Sequence, residues 1–347
     1  MNGAFKSFLS TPEQDRAALF VDTAQRLGTL PEYAEKDFWV CLVLDALYNG
    51  LPEEHPKLLF KGGTSLSKTF GLVQRFSEDV DIVVYRKDLG FEGERDPTVA
   101  ENLSNKKRKK LFEELRSVCS AYILEDMKKD LTILVDEVAR GCRVFPDPND
   151  QDGQTLLVGY LSIYTTGEND YVVPQVKIEA GARSALDPNL ACSITPYIAD
   201  ELPDWSLEVK NITVIAPERT YLDKLLILHG VHCGYRDAGR LPREKQRISR
   251  HYYDAVMITA TDVGRSALSD TKLLDEVRAH NTLAFRQAWK KLEEAVPGSL
   301  RLLPQEEPRA VIERDYEQMQ EMLFGGTPDF GWMMEKLEYA ESMINKA

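Results

Sequence analysis

The stretch 58-LLFKGGTSLSKTFGLVQRFSEDVDIVV-84 decides the fold. A short apolar run, 58–60, stops at a glycine pair, Gly62 and Gly63. Sixteen positions after Gly63 a second apolar run opens on two aspartates, Asp79 and Asp81. Side chains at i and i+2 of a strand share a face. Asp79 and Asp81 therefore point one way, and Val80, Ile82 and Val84 point the other way, toward a core. Two carboxylates so close repel each other unless a cation lies between them. Oxygen donors with no Cys or His beside them suit Mg2+ or Mn2+. Such a pair is the protein's share of a metal-assisted phosphoryl-transfer site. The glycines fit the same chemistry, because they let backbone amides approach a phosphate closely where a helix-like segment, 64–71, begins. Thr64 and Ser65 add hydroxyl donors. A lone Asp-x-Asp is common on surfaces and a lone Gly-Gly is a turn. In this order, between apolar strands, the two together are more specific.

The 347 residues exceed a typical single core and predict two domains, or one domain with a large extension. With 43% hydrophobic and 29% charged residues, the chain reads as an ordinary globular protein in water. Its longest apolar run, FWVCLVL at 38–44, is too short to span a bilayer, so no membrane contact is expected. The opening MNGAFKSFLSTPEQ has no apolar segment of the secretory kind. Cys41, Cys119, Cys142, Cys192 and Cys233 are scattered and odd in number, without a C-x-x-C pair, which predicts free thiols in a reducing cytoplasm. A net charge of −13 argues against a protein that coats DNA, but not against an enzyme that meets RNA through a local basic patch. Two segments run against the acidic balance: KKRKK at 106–110, and 236–250, where six Arg or Lys face Asp237 and Glu244.

Along the chain, residues 11–49 read as two helices broken at Pro31, and 58–60 and 80–85 as strands. Residues 103–140 read as helix with a break near Asp130, 146–153 as loop, and 156–164 and 171–180 as strands with a hairpin connection over 165–170. A short strand at 212–215 precedes a helical half that starts at Pro217, with helices expected over 218–232, 245–260, 270–295, 308–323 and 329–346. The expectation is an α+β module over 1–215 and a helical module over 216–347.

Three later segments carry candidates. In 171-YVVPQVKIEAGARS-184, Gln175, Lys177 and Glu179 share a strand face. They read either as a solvated sheet surface with a Lys177–Glu179 pair, or with Glu179 as a third carboxylate beside Asp79 and Asp81. In 216-APERTYLDKLLILHG-230, Leu222, Leu225 and Leu226 form a buried stripe, with Lys224 beside it. That lysine suits snorkelling or a compact charge on a phosphate. In 247-RISRHYYDAVMI-258, Asp254 stands four residues after Arg250, the spacing of a surface pair worth about 0.3 kcal/mol. His229, His232 and Cys233 share a helical face but lack a fourth zinc ligand. KKRKK reads as a solvated helix face.

KGGTSL…RFSEDVDI resembles the first motif of the polymerase-β-like nucleotidyltransferases, specifically the AbiEii/AbiGii toxin family, which includes MenT-type toxins. The resemblance extends over roughly 55–260. It implies an α+β nucleotidyltransferase domain with a mixed sheet, followed by a mostly helical domain. It implies a toxin of a bacterial toxin–antitoxin or abortive-infection (phage defence) system that moves NMP from an NTP to an acceptor. The expected acceptor is the 3′ end of tRNA, and a cognate antitoxin is the expected partner. Ile178-Glu179-Ala180 resembles the family's h-[D/E]-h motif and the Lys224 segment its lysine-bearing motif. The resemblance thus implies Asp79, Asp81 and Glu179 as ligands of Mg2+ or Mn2+. Lys61, Gly62, Gly63, Thr64, Ser65, Ser77 and Lys224 become NTP contacts, and Lys224 and Asp254 join the three carboxylates as catalytic residues. His251 stands where the family pattern R-D-x-x-D has its first Asp. The stretch from 224 to 254 is longer than expected and carries an Arg-rich insertion, in which Arg240, Arg243 and Arg247 are expected on RNA phosphates. Two alternatives remain: transfer to a protein or small molecule, and an idle NTP-binding partner in a defence complex. The intact Asp-x-Asp argues against the second.

Overall fold

The apolar runs on either side of the glycine pair lie side by side. A computed structural model describes residues 1–100, 103–164, 173–239, 241 and 248–346. In it β1 (Leu58–Lys61) runs antiparallel to β2 (Asp79–Val84), with Phe60 opposite Ile82 and Lys61 opposite Asp81. The strands that follow are β3 (Arg143–Pro146), β4 (Thr155–Gly159), β5 (Gln175–Gly181), β6 (Asn189–Ile194) and β7 (Val209–Ile215). They make one sheet in the order β3-β4-β5-β2-β1-β7-β6. The pairs β2–β5 and β1–β7 are parallel and the rest antiparallel, so the sheet is mixed.

The period-two pattern sets the faces. Val80 pairs with Ile178, Ile178 with Leu156, and Phe60 with Ile82 and Val214. All six are buried, which makes one side of the central strands a continuous apolar surface. Burying each such side chain is worth about 1.5–3 kcal/mol. Strands β3 and β6 were not expected from the sequence. They are the two sheet edges, half exposed, and an edge is where Pro146 is tolerated.

The sheet shares a unit with α1 (Gly3–Leu9), α2 (Glu13–Leu27), α3 (Pro31–Asp45), α4 (Gly62–Lys68), α5 (Asn105–Tyr122) and α6 (Lys128–Val138). Pro31 starts α3, and the whole FWVCLVL run within it is buried. A helix apolar all round belongs in a core, and α3 packs on β2, β5 and β7. Its buried charges each have partners. Glu35 accepts from the Ser162 hydroxyl and from the Ile163 amide at 2.9 Å, Asp37 lies 2.7 Å from Lys68, and Lys36 donates to Glu78. The helix expected over 103–140, with a break near Asp130, is α5 and α6, and the wider turn that joins them lies a little earlier, over Ile123–Met127.

The remaining helices are α7 (Pro217–Ala238), α8 (Ser249–Thr259), α9 (Asp262–Ser269), α10 (Thr271–Ala284), α11 (Glu306–Met319) and α12 (Phe330–Lys346). Pro217 opens α7, and Gly239, at φ +61°, closes it in the left-handed conformation common after helices. α7 packs on α8, α9 and α10, and α8 on α11 and α12. The helix expected over 270–295 stops at Ala284. The chain divides into two compact units, Met1–Thr69 with Phe76–Ile215, and Phe70–Arg75 with Ala216–Ala347. The segment Phe70–Arg75 thus belongs with the helices. The Gln74 carbonyl accepts from the Phe324 amide at 2.9 Å and from the Tyr253 hydroxyl at 3.2 Å. The connection over 165–170, and Arg240, Arg243 and Arg247, lie outside the described residues. Among those described, no helix is long and apolar enough to cross a membrane.

Candidate active site

Asp79 and Asp81 open β2 and share a face, as strand periodicity requires. The parallel register with β5 sets Asp79 beside Lys177 and Asp81 beside Glu179. On the other flank β1 sets Lys61 opposite Asp81, its Nζ 3.9 Å from Oδ1. Lys177 donates to Glu179 Oε1, and Lys36, reaching from α3, donates to Glu78. Four carboxylates, Glu78, Asp79, Asp81 and Glu179, are thus interleaved with three lysines. The crowding falls on Asp79. Burial first, then the charges of Glu78, Asp81 and Glu179, push its carboxyl up to about 6, while Lys177 pulls the other way. Burial works against the charge on Lys177, but its bond to Glu179 and the charges of Glu179 and Asp79 outweigh that and hold its pKa above the usual lysine value.

The glycine turn is shaped to this strand. Gly62 has φ +86°, and a Cβ there would lie 2.0 Å from Asp81 Oδ2 and 2.8 Å from its Cγ. Glycine meets both demands, the conformational and the steric. Gly63 follows in the first turn of α4. Thr64 and Ser65 are fully buried. The Thr64 hydroxyl donates to the Asp79 carbonyl at 2.5 Å and meets the Ser77 hydroxyl at 2.8 Å, while Ser65 donates to the Gly62 carbonyl at 2.9 Å. These hydroxyls brace the turn against the start of the aspartate strand.

Among the described residues no group of three or more His, Cys, Asp and Glu side chains is arranged to hold a metal ion. The carboxylate pair nonetheless fits Mg2+ or Mn2+. Mg2+ in particular takes one or two protein carboxylates and completes its shell with phosphate and water. A cation between Asp79 and Asp81 would offset the repulsion of neighbouring carboxylates.

In the helical unit Lys224 and Asp254 meet. Lys224 Nζ lies 2.8 Å from Asp254 Oδ2, and Asp254 has no exposed surface. Arg75 grips the same carboxylate with two bonds, Nε to Oδ1 at 2.7 Å and Nη2 to Oδ2 at 2.8 Å. Burial would raise the Asp254 carboxyl, but Arg75 and Lys224 overcome it and hold it well below the usual carboxylate range. The Lys224 pKa is lowered by burial in the first place, against the pull of Asp254. His251, at the variant motif position, is held neutral by burial and by the charges of Lys224 and Arg250, and its Nδ1 makes no hydrogen bond. The zinc candidates are otherwise engaged: His229 and His232 contact the carbonyls of Lys291 and Leu303 at 3.2 and 2.8 Å, and Cys233 contacts His229 at 3.4 Å.

The AbiEii family model, described as "Nucleotidyl transferase AbiEii toxin, Type IV TA system", matches residues 45–336. The chain belongs to the AbiEii nucleotidyltransferase toxin family. As an AbiEii protein it is a nucleotidyltransferase toxin of a type IV toxin–antitoxin system, and the match spans the glycine turn, the aspartate pair, Glu179, Lys224 and Asp254. Among solved structures this AbiEii chain is similar to MenT4, a nucleotidyltransferase toxin of Mycobacterium tuberculosis, at 17% identity and a TM-score of 0.38, over 87% of this chain and 98% of that one. No curated protein matches it.

Three residues of the AbiEii chain escaped the sequence reading: Arg75, Lys36 and Glu78. Arg75 and Glu78 lie inside the first motif, but their partners stand 179 and 42 positions away in sequence. The single usable signal was a run of charges at the edge of a buried strand.

Proposed function

We propose that this toxin transfers NMP from an NTP to the 3′ end of tRNA, with Asp79 and Asp81 holding a divalent cation and Glu179 completing the site. One observation carries the reading: the aspartate pair faces Glu179 beneath a glycine turn whose Gly62 leaves no room for a side chain over Asp81. A bound Mg2+ or Mn2+ supplies charge neutralisation to the reacting phosphates. The chain's own residues do the positioning, on which phosphoryl transfer mainly depends. The turn at Gly62 and Gly63 brings backbone close to the phosphates, and Thr64, Ser65 and Ser77 keep it rigid. Lys61 adds positive charge beside Asp81. Lys224 neutralises triphosphate charge, and Asp254 orients Lys224.

The test is incubation of purified protein with total RNA and each α-labelled NTP in Mg2+. Label on RNA that disappears in Asp81→Ala supports the proposal, and full transfer by that variant would sink the metal-site assignment. A second reading, transfer to a protein or small molecule, is favoured by the net charge of −13 and would place the label there instead.

A further inference from the structure

One turn of α3 lies against the ends of three strands. Its charged run Glu35-Lys36-Asp37 is buried throughout. Glu35 takes the Ser162 hydroxyl and the Ile163 amide, just past β4. Lys36 reaches two segments at once. Its ammonium donates to Glu78, the residue before β2, and at 3.1 Å to the carbonyl of Val173, shortly before β5. Strand alternation explains the carboxylate, because Glu78 is in step with Val80 and Ile82, the buried side chains of β2. A buried ammonium is costly unless its charge and its N–H groups are met. Here one carboxylate and one carbonyl meet them.

What Lys36 joins are the starts of the two neighbouring strands that carry the carboxylates. β2 and β5 run parallel, and their pairing begins with Asp79 beside Lys177 and continues with Asp81 beside Glu179. Parallel strands have no tight turn between them to fix the register, and a slip by one residue would send the paired side chains to opposite faces. A compact ammonium with three donors, carried on α3, meets both strand entries at one point. Tyr33, one turn earlier, stacks on Phe76 at 4.1 Å and holds the approach to β2 a second time. All of these residues belong to the sheet unit. We infer that Lys36 is a positioning residue for nucleotidyl transfer: it pins Glu78 to Val173 and so sets Asp79 and Asp81 against Glu179. This rests on the proposed metal role of the three carboxylates. It adds that a lysine bonded to none of them governs their placement.

The test compares Lys36→Met with Glu35→Ala in the full chain. Each removes a buried charge from the same turn of α3, and each is expected to lower the melting temperature. Only Lys36→Met unties β2 from β5. Affinity for Mn2+ alone is measured by electron paramagnetic resonance of the free ion, with Asp81→Ala as the binding-deficient control. Lys36→Met should bind Mn2+ about tenfold more weakly, as for loss of a group that orients metal ligands. The sign is decisive, because charge alone predicts the opposite: removing a lysine near a cation site strengthens cation binding. Transfer should lose kcat by about tenfold or more, with KM for the NTP changed less than about threefold. Glu35→Ala should keep parent-like Mn2+ affinity and kcat. Mn2+ binding by Lys36→Met as tight as the parent's or tighter, or an equal loss in Glu35→Ala, overturns the inference and returns Lys36 to pairing a buried charge. If Lys36→Met does not fold, Lys36→Gln, which keeps a polar head but is too short to bridge both acceptors, is judged by the same criterion. A parent that binds no more Mn2+ than Asp81→Ala overturns the metal-site reading alone. Amide hydrogen exchange over the paired residues 79–83 and 177–181 then decides. Faster exchange there in Lys36→Met, relative to β7, keeps the positioning role, and unchanged exchange removes it.

Discussion

Gly62→Ala separates backbone strain from displacement of a carboxylate, because the same unit provides a matched control. Gly62 has φ +86° and Gly90 has φ +82°, so alanine at either position meets the same unfavourable backbone region. That strain costs about 1–2 kcal/mol at each site. An added Cβ at Gly90 has nothing within 4 Å, whereas at Gly62 it lies 2.0 Å from Asp81 Oδ2, 2.8 Å from Cγ and 3.0 Å from Cβ. Rotating the Asp81 carboxylate clears the first two contacts. The third is set by the strand backbone and needs a further shift of a few tenths of an ångström. The carboxylate oxygen must retreat by roughly 1.4 Å to reach ordinary contact, and an error of about 1 Å at a reacting centre costs on the order of 100-fold in rate. The expectation is two variants within about 1 kcal/mol of each other in urea unfolding, with Gly62→Ala about 100-fold slower than Gly90→Ala in nucleotide transfer. Equal transfer rates for the two would show that the contact between turn and carboxylate does not govern the reaction.

Asp254→Asn removes the buried carboxylate that Arg75 and Lys224 share and should cost about 3–5 kcal/mol. Lys224→Met keeps the Arg75–Asp254 pair and should cost less, about 1–3 kcal/mol, so equal losses in denaturant midpoint would contradict the charge accounting. The Asp79 carboxyl, raised to about 6, lies above its unfolded value of about 3.9. The cation-free protein therefore has its full Asp79 contribution below about pH 4 and loses it as pH rises through about 6, a change on the order of 2–3 kcal/mol. Asp79→Asn should remove that slope, and parallel stability curves for parent and variant across this window would refute the crowding. Changing Arg240, Arg243 and Arg247 together to Ala should lower RNA affinity and flatten its salt slope while leaving NTP binding unchanged. A triple variant that modifies RNA like the parent at every salt concentration would shift favour to a protein or small-molecule acceptor.

Much of the fold was legible along the chain because its signals are short-range. Strand periodicity put Asp79 and Asp81 on one face and Val80 and Ile82 on the other, and Pro31 and Pro217 marked where helices begin. Positive φ at Gly62 follows from the tight passage from β1 into α4, which a glycine pair after an apolar run already suggests. Long-range pairing is different, because register depends on how the whole core buries its surface and not on any window of sequence. The sequence reading offered Glu179 as a neighbour of the aspartate pair, but the register that sets it beside Asp81, and Lys177 beside Asp79, comes from two strands about 100 residues apart placed in parallel contact. Local spacing offered Asp254 a surface partner in Arg250. The fold instead buries it completely between Lys224 and Arg75, the latter 179 residues away, where loss of water makes paired opposite charges obligatory. The edge strands β3 and β6 left no clear pattern, since a strand half open to solvent needs no strict alternation. The chemistry of each side chain is thus written locally, and its partner is chosen by tertiary burial.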